Sequence, residues 1–129
     1  MARARVLFAL LPAVMLACTH PRLGPSEMSN SQFISEDEIQ ASRESTAYDV
    51  IHKLRGNFLS YRGETSFDKS KSQPYPTVYV DGQEFGPISA LRSIPASEIS
   101  TIRLYRSWEA TTKFGTGNMG GVIAISTRQ

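Results

Sequence analysis

The chain has 129 residues, room for one domain, and a formal net charge of +2 from 14 Lys and Arg against 12 Asp and Glu. Two of those cations, Arg3 and Arg5, fall in an N-terminal segment with the marks of a leader, so the remainder balances at a net charge of zero and lacks the basic face that nucleic-acid binding requires. Cys18 is the only cysteine, which excludes an internal disulfide framework.

Arg3 and Arg5 precede Val6–Ala17, an apolar run interrupted only by Pro12. A basic start followed by a short apolar stretch is the pattern of an export signal over residues 1–17, and the run is shorter than the roughly 20 residues that span a bilayer. Met15-Leu16-Ala17-Cys18 resembles a bacterial lipobox, with Met15 where Leu is usual. That resemblance implies a diacylglyceryl group on the Cys18 thiol, cleavage just before it, and, with Thr19 next rather than Asp, an address at the outer membrane. Two or three acyl chains hold firmly where one holds reversibly, because each buried CH₂ contributes about 0.8 kcal/mol. Residues 18–32, rich in Pro, Ser and Asn after the cysteine, are expected to form a flexible tether, and residues 33–129 the domain proper.

Structure is expected to begin near Phe33-Ile34. Ser35 followed by Glu38 is a capping-box pattern and predicts a short helix to about Ser42. Thr46 with Asp49 three places on starts a second helix, in which Ala47, Val50, Ile51 and Leu54 form one apolar stripe. Lys53 and Arg55 suit its last turn, and Gly56 is expected to end it. Asn57–Tyr61 is expected as a short strand, and Gly63–Gln73 as a polar loop. Pro76–Val80, rich in β-branched and aromatic residues, followed by Asp81-Gly82, predicts a hairpin with a brief return over Gln83–Phe85. Ile88–Leu91 and Pro95–Glu98 have the look of single helical turns. Ile99–Tyr105 alternates, with Ile102 and Leu104 on one face and Arg103 and Tyr105 on the other. Ser107–Phe114 is a short helix before Gly115, and Gly120-Gly121 opens a last apolar strand over Val122–Thr127. Together these elements predict an α+β fold with short helices on a small mixed sheet.

Four of these segments, in this order, resemble the plug domain of TonB-dependent outer-membrane receptors: Ala47–Gly56, Pro76–Gly82, Ile94–Tyr105 and Ala110–Thr127. The likeness runs from Ile34 to Thr127. It departs from the family at Ser107-Trp108, where Gly-Pro or Asp-Ala is usual, and no TonB box precedes it, so it does not extend to direct engagement by TonB. In a receptor the plug fills a barrel of about 22 strands, each of about 9–11 residues. The chain read here ends two residues after Thr127. The expectation is therefore a plug without its own barrel, acting by contact at the periplasmic face of the outer membrane, with a barrel or TonB-system protein as partner.

No residue set compels catalysis, a cofactor or a metal. His52, Asp49 and Ser45 share a helical stretch, but His52 lies off the apolar stripe and reads as a solvated residue. Gly115, Gly117, Gly120 and Gly121 lack the Lys-Ser/Thr and the strand-to-helix junction of a phosphate loop. Asp81 and Gly82 read as a type I′ turn ahead of a ligand site. The candidate contact surface is Arg103, Tyr105, Arg106 and Trp108. A Trp in so small a domain is more often part of the core than an anchor, and the flanking arginines fit either a polar rim or solvated strand edges. A contact domain should show an exposed apolar patch or an unpaired strand edge near Ile102–Trp108. The competing function, capture of a small molecule such as a siderophore or nutrient, should show a concave apolar pocket with convergent polar groups. A small periplasmic enzyme is the remaining alternative.

Overall fold

The computed structural model describes residues 31–61 and 74–128. Cys18, the leader, the tether up to residue 30 and all of the expected loop Gly63–Gln73 lie outside these residues. The fold is α+β: a mixed five-stranded sheet carrying several short helices.

Local chemistry sets the first elements. Phe33–Ile34 (β1) is followed by helix α1, Glu36–Ser42, whose start is a complete capping box. The Glu38 N–H donates to Ser35 Oγ at 3.3 Å while the Ser35 N–H donates to the Glu38 carboxylate at 3.1 Å. Helix α2, Ala47–Arg55, begins at Thr46, whose Oγ1 accepts from the Asp49 N–H at 3.3 Å. Ala47, Val50 and Ile51 are fully buried, as their 3.6-residue spacing demands. Its last-turn cations do more than complement a dipole. Lys53 Nζ donates to the Ser42 carbonyl at 2.7 Å, satisfying the end of α1, and Arg55 Nε donates to the Ser31 carbonyl at 3.0 Å.

Helix α2 ends at Arg55 with Gly56 next, as expected, but Gly56 is not left-handed; its φ is −54°. The break falls at Arg55 (φ −145°, ψ 44°), and Gly56–Leu59 continues as a 3₁₀ turn where a strand was expected. The reason is Phe58. The tighter coil carries its ring into the core, where 3% of it stays exposed, and an extended segment here has no strand beside it.

Strands β2 (Thr77–Val80) and β3 (Gln83–Pro87) form the predicted hairpin, and its return arm runs two residues longer than expected. Both turn residues have positive φ, Asp81 at 48° and Gly82 at 83°, as a type I′ turn requires. A bulge between the Val78 and Tyr79 pairings leaves Phe85 without an opposite residue. Two 3₁₀ turns, Ile88–Ser93 and Ala96–Glu98, lead to β4 (Ile99–Tyr105), helix α3 (Ser107–Phe114) and β5 (Val122–Thr127).

The sheet order is β1-β4-β5-β2-β3, with β5 parallel to β2 and every other pair antiparallel. The last strand in sequence is thus the middle of the sheet. Alternation sends its side chains to two different cores. Ile123 and Ile125 join Ile34, Ile102, Leu104 and Val78 under α1 and α2, whereas Val122 packs with Tyr105 and Ala110 of α3. Each fully buried Ile or Leu contributes roughly 1.5–3 kcal/mol, so the first face holds most of the stability.

The edges are short or broken. β1 has two residues, and β3 carries the bulge. The chain is pinned before β1, because the Leu104 N–H donates to the Gln32 carbonyl at 2.7 Å.

One contact fixes how β5 enters. Gly121 has φ 99°, and a Cβ there would lie 2.8 Å from the Tyr105 carbonyl oxygen, on the backbone of the neighbouring strand. Gly117 has open space around the same position. Gly121→Ala is expected to cost about 2–3 kcal/mol in urea unfolding, from backbone strain plus a clash that cannot relax. Gly117→Ala should stay within about 0.5 kcal/mol.

Candidate functional site

The four contact candidates lie on one stretch, but the fold treats them differently. β4 is an inner strand: Arg103 faces Phe33 of β1 on one side and Ala124 of β5 on the other. β1 pairs with Ile102 and Arg103 and the Leu104 N–H donates to the Gln32 carbonyl, so at these three residues the expected unpaired edge is covered. Arg103 remains exposed on the sheet face opposite the main core.

Tyr105, on the same face, is 9% exposed. It sits beneath α3, with its ring 5.3 Å from that of Phe114 at a steep angle, and Phe114 also packs on Tyr79 at 4.6 Å. Its hydroxyl accepts from Lys113 Nζ at 2.7 Å. Tyr105 is thus a buried floor and not a free contact residue. Burial follows from the turn at Arg106, which folds α3 back over the end of β4.

Arg106 is exposed ahead of α3, and its backbone N–H donates to the Glu109 carboxylate at 3.1 Å. The other Glu109 bond, from Gln32 Nε2 at 2.8 Å, ties the N-terminal side of the domain to this helix.

Trp108 reverses the expectation that it belongs to the core. It is 71% exposed, the most exposed of the large apolar side chains described. The helix period explains this. Ala110 and Phe114 turn toward the sheet, and a residue two places before Ala110 points away. An indole left so open forgoes roughly 3–4 kcal/mol of burial.

The turn residues Asp81 and Gly82 lie at the far end of the same face. Nothing in the sequence linked Asp81 to Thr127, yet its two carboxylate oxygens accept from the Thr127 N–H at 2.9 Å and from Thr127 Oγ1 at 2.6 Å. The Asp81 N–H in turn donates to the Ile125 carbonyl at 2.9 Å. The hairpin tip is stitched to β5, and its carboxylate is engaged with protein.

The tempting triad does not form. Asp49 accepts from Thr46 Oγ1 at 2.6 Å, whereas the exposed His52 ring stacks on Tyr48 at 6.0 Å. Among the described residues no three His, Cys, Asp or Glu side chains converge as a metal site, and no helix is long and apolar enough to cross a membrane.

The concavities are surface grooves. One of about 290 Å³ lies between Pro74–Thr77 and the β3 edge. Another of about 320 Å³ lies on the second sheet face beside α3, lined by Phe33, Arg103, Tyr105, Lys113 and Phe114 among others. No protein-family model and no curated protein matches the chain.

The Asp81 tie carries a pH signature. The Thr127 hydroxyl first, and the Thr127 N–H second, hold its carboxyl below the ordinary 3.8. A depressed folded pKa contributes stability that is fully present above the unfolded value and is lost as pH falls through the folded one. The stability gap between wild type and Asp81→Asn should be full at about pH 6 and narrow below about pH 4, measured by thermal unfolding across that range. A gap independent of pH contradicts the tie.

Proposed function

We propose that this chain is a non-catalytic, plug-like interaction domain, held at the bacterial outer membrane by lipid on Cys18 and working through protein contact, as an accessory to transport. The observation that carries the reading is Trp108, 71% exposed on a helix packed firmly enough to hold it in place. Trp is the side chain most enriched among the anchors of protein interfaces, and a rigid helix presents it with little loss of entropy on binding.

The grooves favour contact over capture of a small molecule. Each is lined in part by exposed side chains and opens to solvent, where ligand sites bury most of the ligand's surface. The plug likeness rests on the four sequence segments, and the partner class it brings is an outer-membrane barrel or a TonB-system protein. Cys18, directly after an apolar run, supports the anchor.

A photo-crosslinking residue placed at Trp108 tests this in cells. The expected product is an adduct with an outer-membrane barrel or TonB-system protein, found in the membrane fraction. Cys18→Ser should remove the fatty-acid label, release the protein from that fraction and abolish the adduct. Labelled, membrane-bound protein that gives no adduct from residue 108 contradicts the reading.

A further inference from the structure

The second face of the sheet is only half covered. Helix α3 roofs Tyr105, Val122 and Tyr79, and leaves the strip beyond them open. Across that strip the strand register places Phe33 beside Arg103 and Arg103 beside Ala124. Phe33 is 39% exposed, a large apolar side chain in water on an edge strand.

Two cations flank the strip, both held against one ring. The Arg103 guanidinium carbon lies 5.5 Å from the Tyr105 ring centroid, and Lys113 Nζ lies 4.7 Å from it. Stacking on an aromatic face fixes where each charge points while leaving most of its donors free. Lys113 uses one donor on the Tyr105 hydroxyl. Among the described residues neither cation has a carboxylate within salt-bridge distance. The nearest acid on α3, Glu109, is taken up by Gln32 and by its own helix start.

Elsewhere Lys53 pairs with Glu44, Arg55 with Glu38 and Arg128 with Glu36, while Arg92 lies alone over the Tyr48 ring at 3.7 Å. What sets this strip apart is that two cations without a carboxylate share one aromatic floor within one groove, which gives it a definite complement.

We propose that this cleft of about 320 Å³ is a docking groove for an acidic segment of a protein partner, one bearing a carboxylate next to an aromatic or apolar side chain. The carboxylate meets Arg103 and Lys113 through charge-assisted hydrogen bonds, and the apolar neighbour lies on Phe33 and the ring of Phe114. Two cations favour a short acidic segment over nucleic acid, whose binding rests on many phosphate contacts. The proposal rests on the contact reading and names its chemistry. The two fail separately: absence of an adduct from residue 108 removes the contact reading, whereas the groove stands or falls on direct binding of an acidic polymer.

The test uses the full chain in non-ionic detergent and a fluorescein-labelled random copolymer of glutamate and tyrosine, followed by fluorescence anisotropy at low salt. The expected result is saturable binding that Arg103→Gln with Lys113→Gln weakens by about tenfold or more, each lost charge-assisted bond accounting for about that factor. Arg43→Gln with Arg92→Gln, the same change in charge at exposed sites elsewhere, should alter affinity less than about twofold. Wild type that does not bind, or two double variants that weaken equally, overturns the proposal. So does an oligothymidylate that binds the same groove more tightly than the copolymer.

Discussion

Strand β5 is bonded along both edges, sealed on one face and covered by α3 over part of the other, and that position imposes demands on residues far from it in sequence. Its neighbours are β4, antiparallel, and β2, parallel, so its register sets theirs. Its approach beneath the Tyr105 carbonyl leaves no room for a side chain at Gly121. Its far end is held by Asp81, which reaches from the hairpin tip to Thr127. The four apolar residues Val122 to Ile125 suit this place, since Ile123 and Ile125 enter the main core, Val122 lies under α3 and Ala124 is half-buried beside it.

The helices were legible because their signals are local. The Ser35 and Thr46 starts and the Ala47, Val50, Ile51 stripe lie within a turn or two of each other, and so does the Asp81-Gly82 turn. What depends on distant pairing was not. No pattern within Val122–Thr127 says that it slots between β4 and β2, nor that Phe33–Ile34 caps β4. Asn57–Tyr61 has strand-like composition yet coils to bury Phe58, a case of tertiary burial overriding propensity. At the candidate surface, Arg103 and Trp108 were identified by residue type. The fold alone separated Tyr105 beneath α3 from Trp108 above it, and the fold brought in Lys113 and Phe33, which no spacing rule connects to Arg103.

The two faces of the sheet divide the work. One is sealed by α1, α2 and the 3₁₀ turns, and carries the stability. The other is roofed at one end by a single two-turn helix that shows Trp108 to solvent and leaves an open strip beside it. A sheet face stabilised from behind can afford such exposure, because the side chains in water are not those that hold the fold. On the proposed reading, the contact residues are not those that hold the fold, which is why changes at Arg103, Lys113 or Trp108 should leave the domain intact.

All of this depends on β5 lying in the middle of the sheet. Native-state amide hydrogen exchange addresses that directly. The N–H groups of Ile123 to Ile125 should be among the slowest in the chain and exchange only with global unfolding, while that of Phe85, in the bulged edge strand, should exchange orders of magnitude faster. Equal exchange at the two places would contradict the central strand and the two-faced sheet built around it.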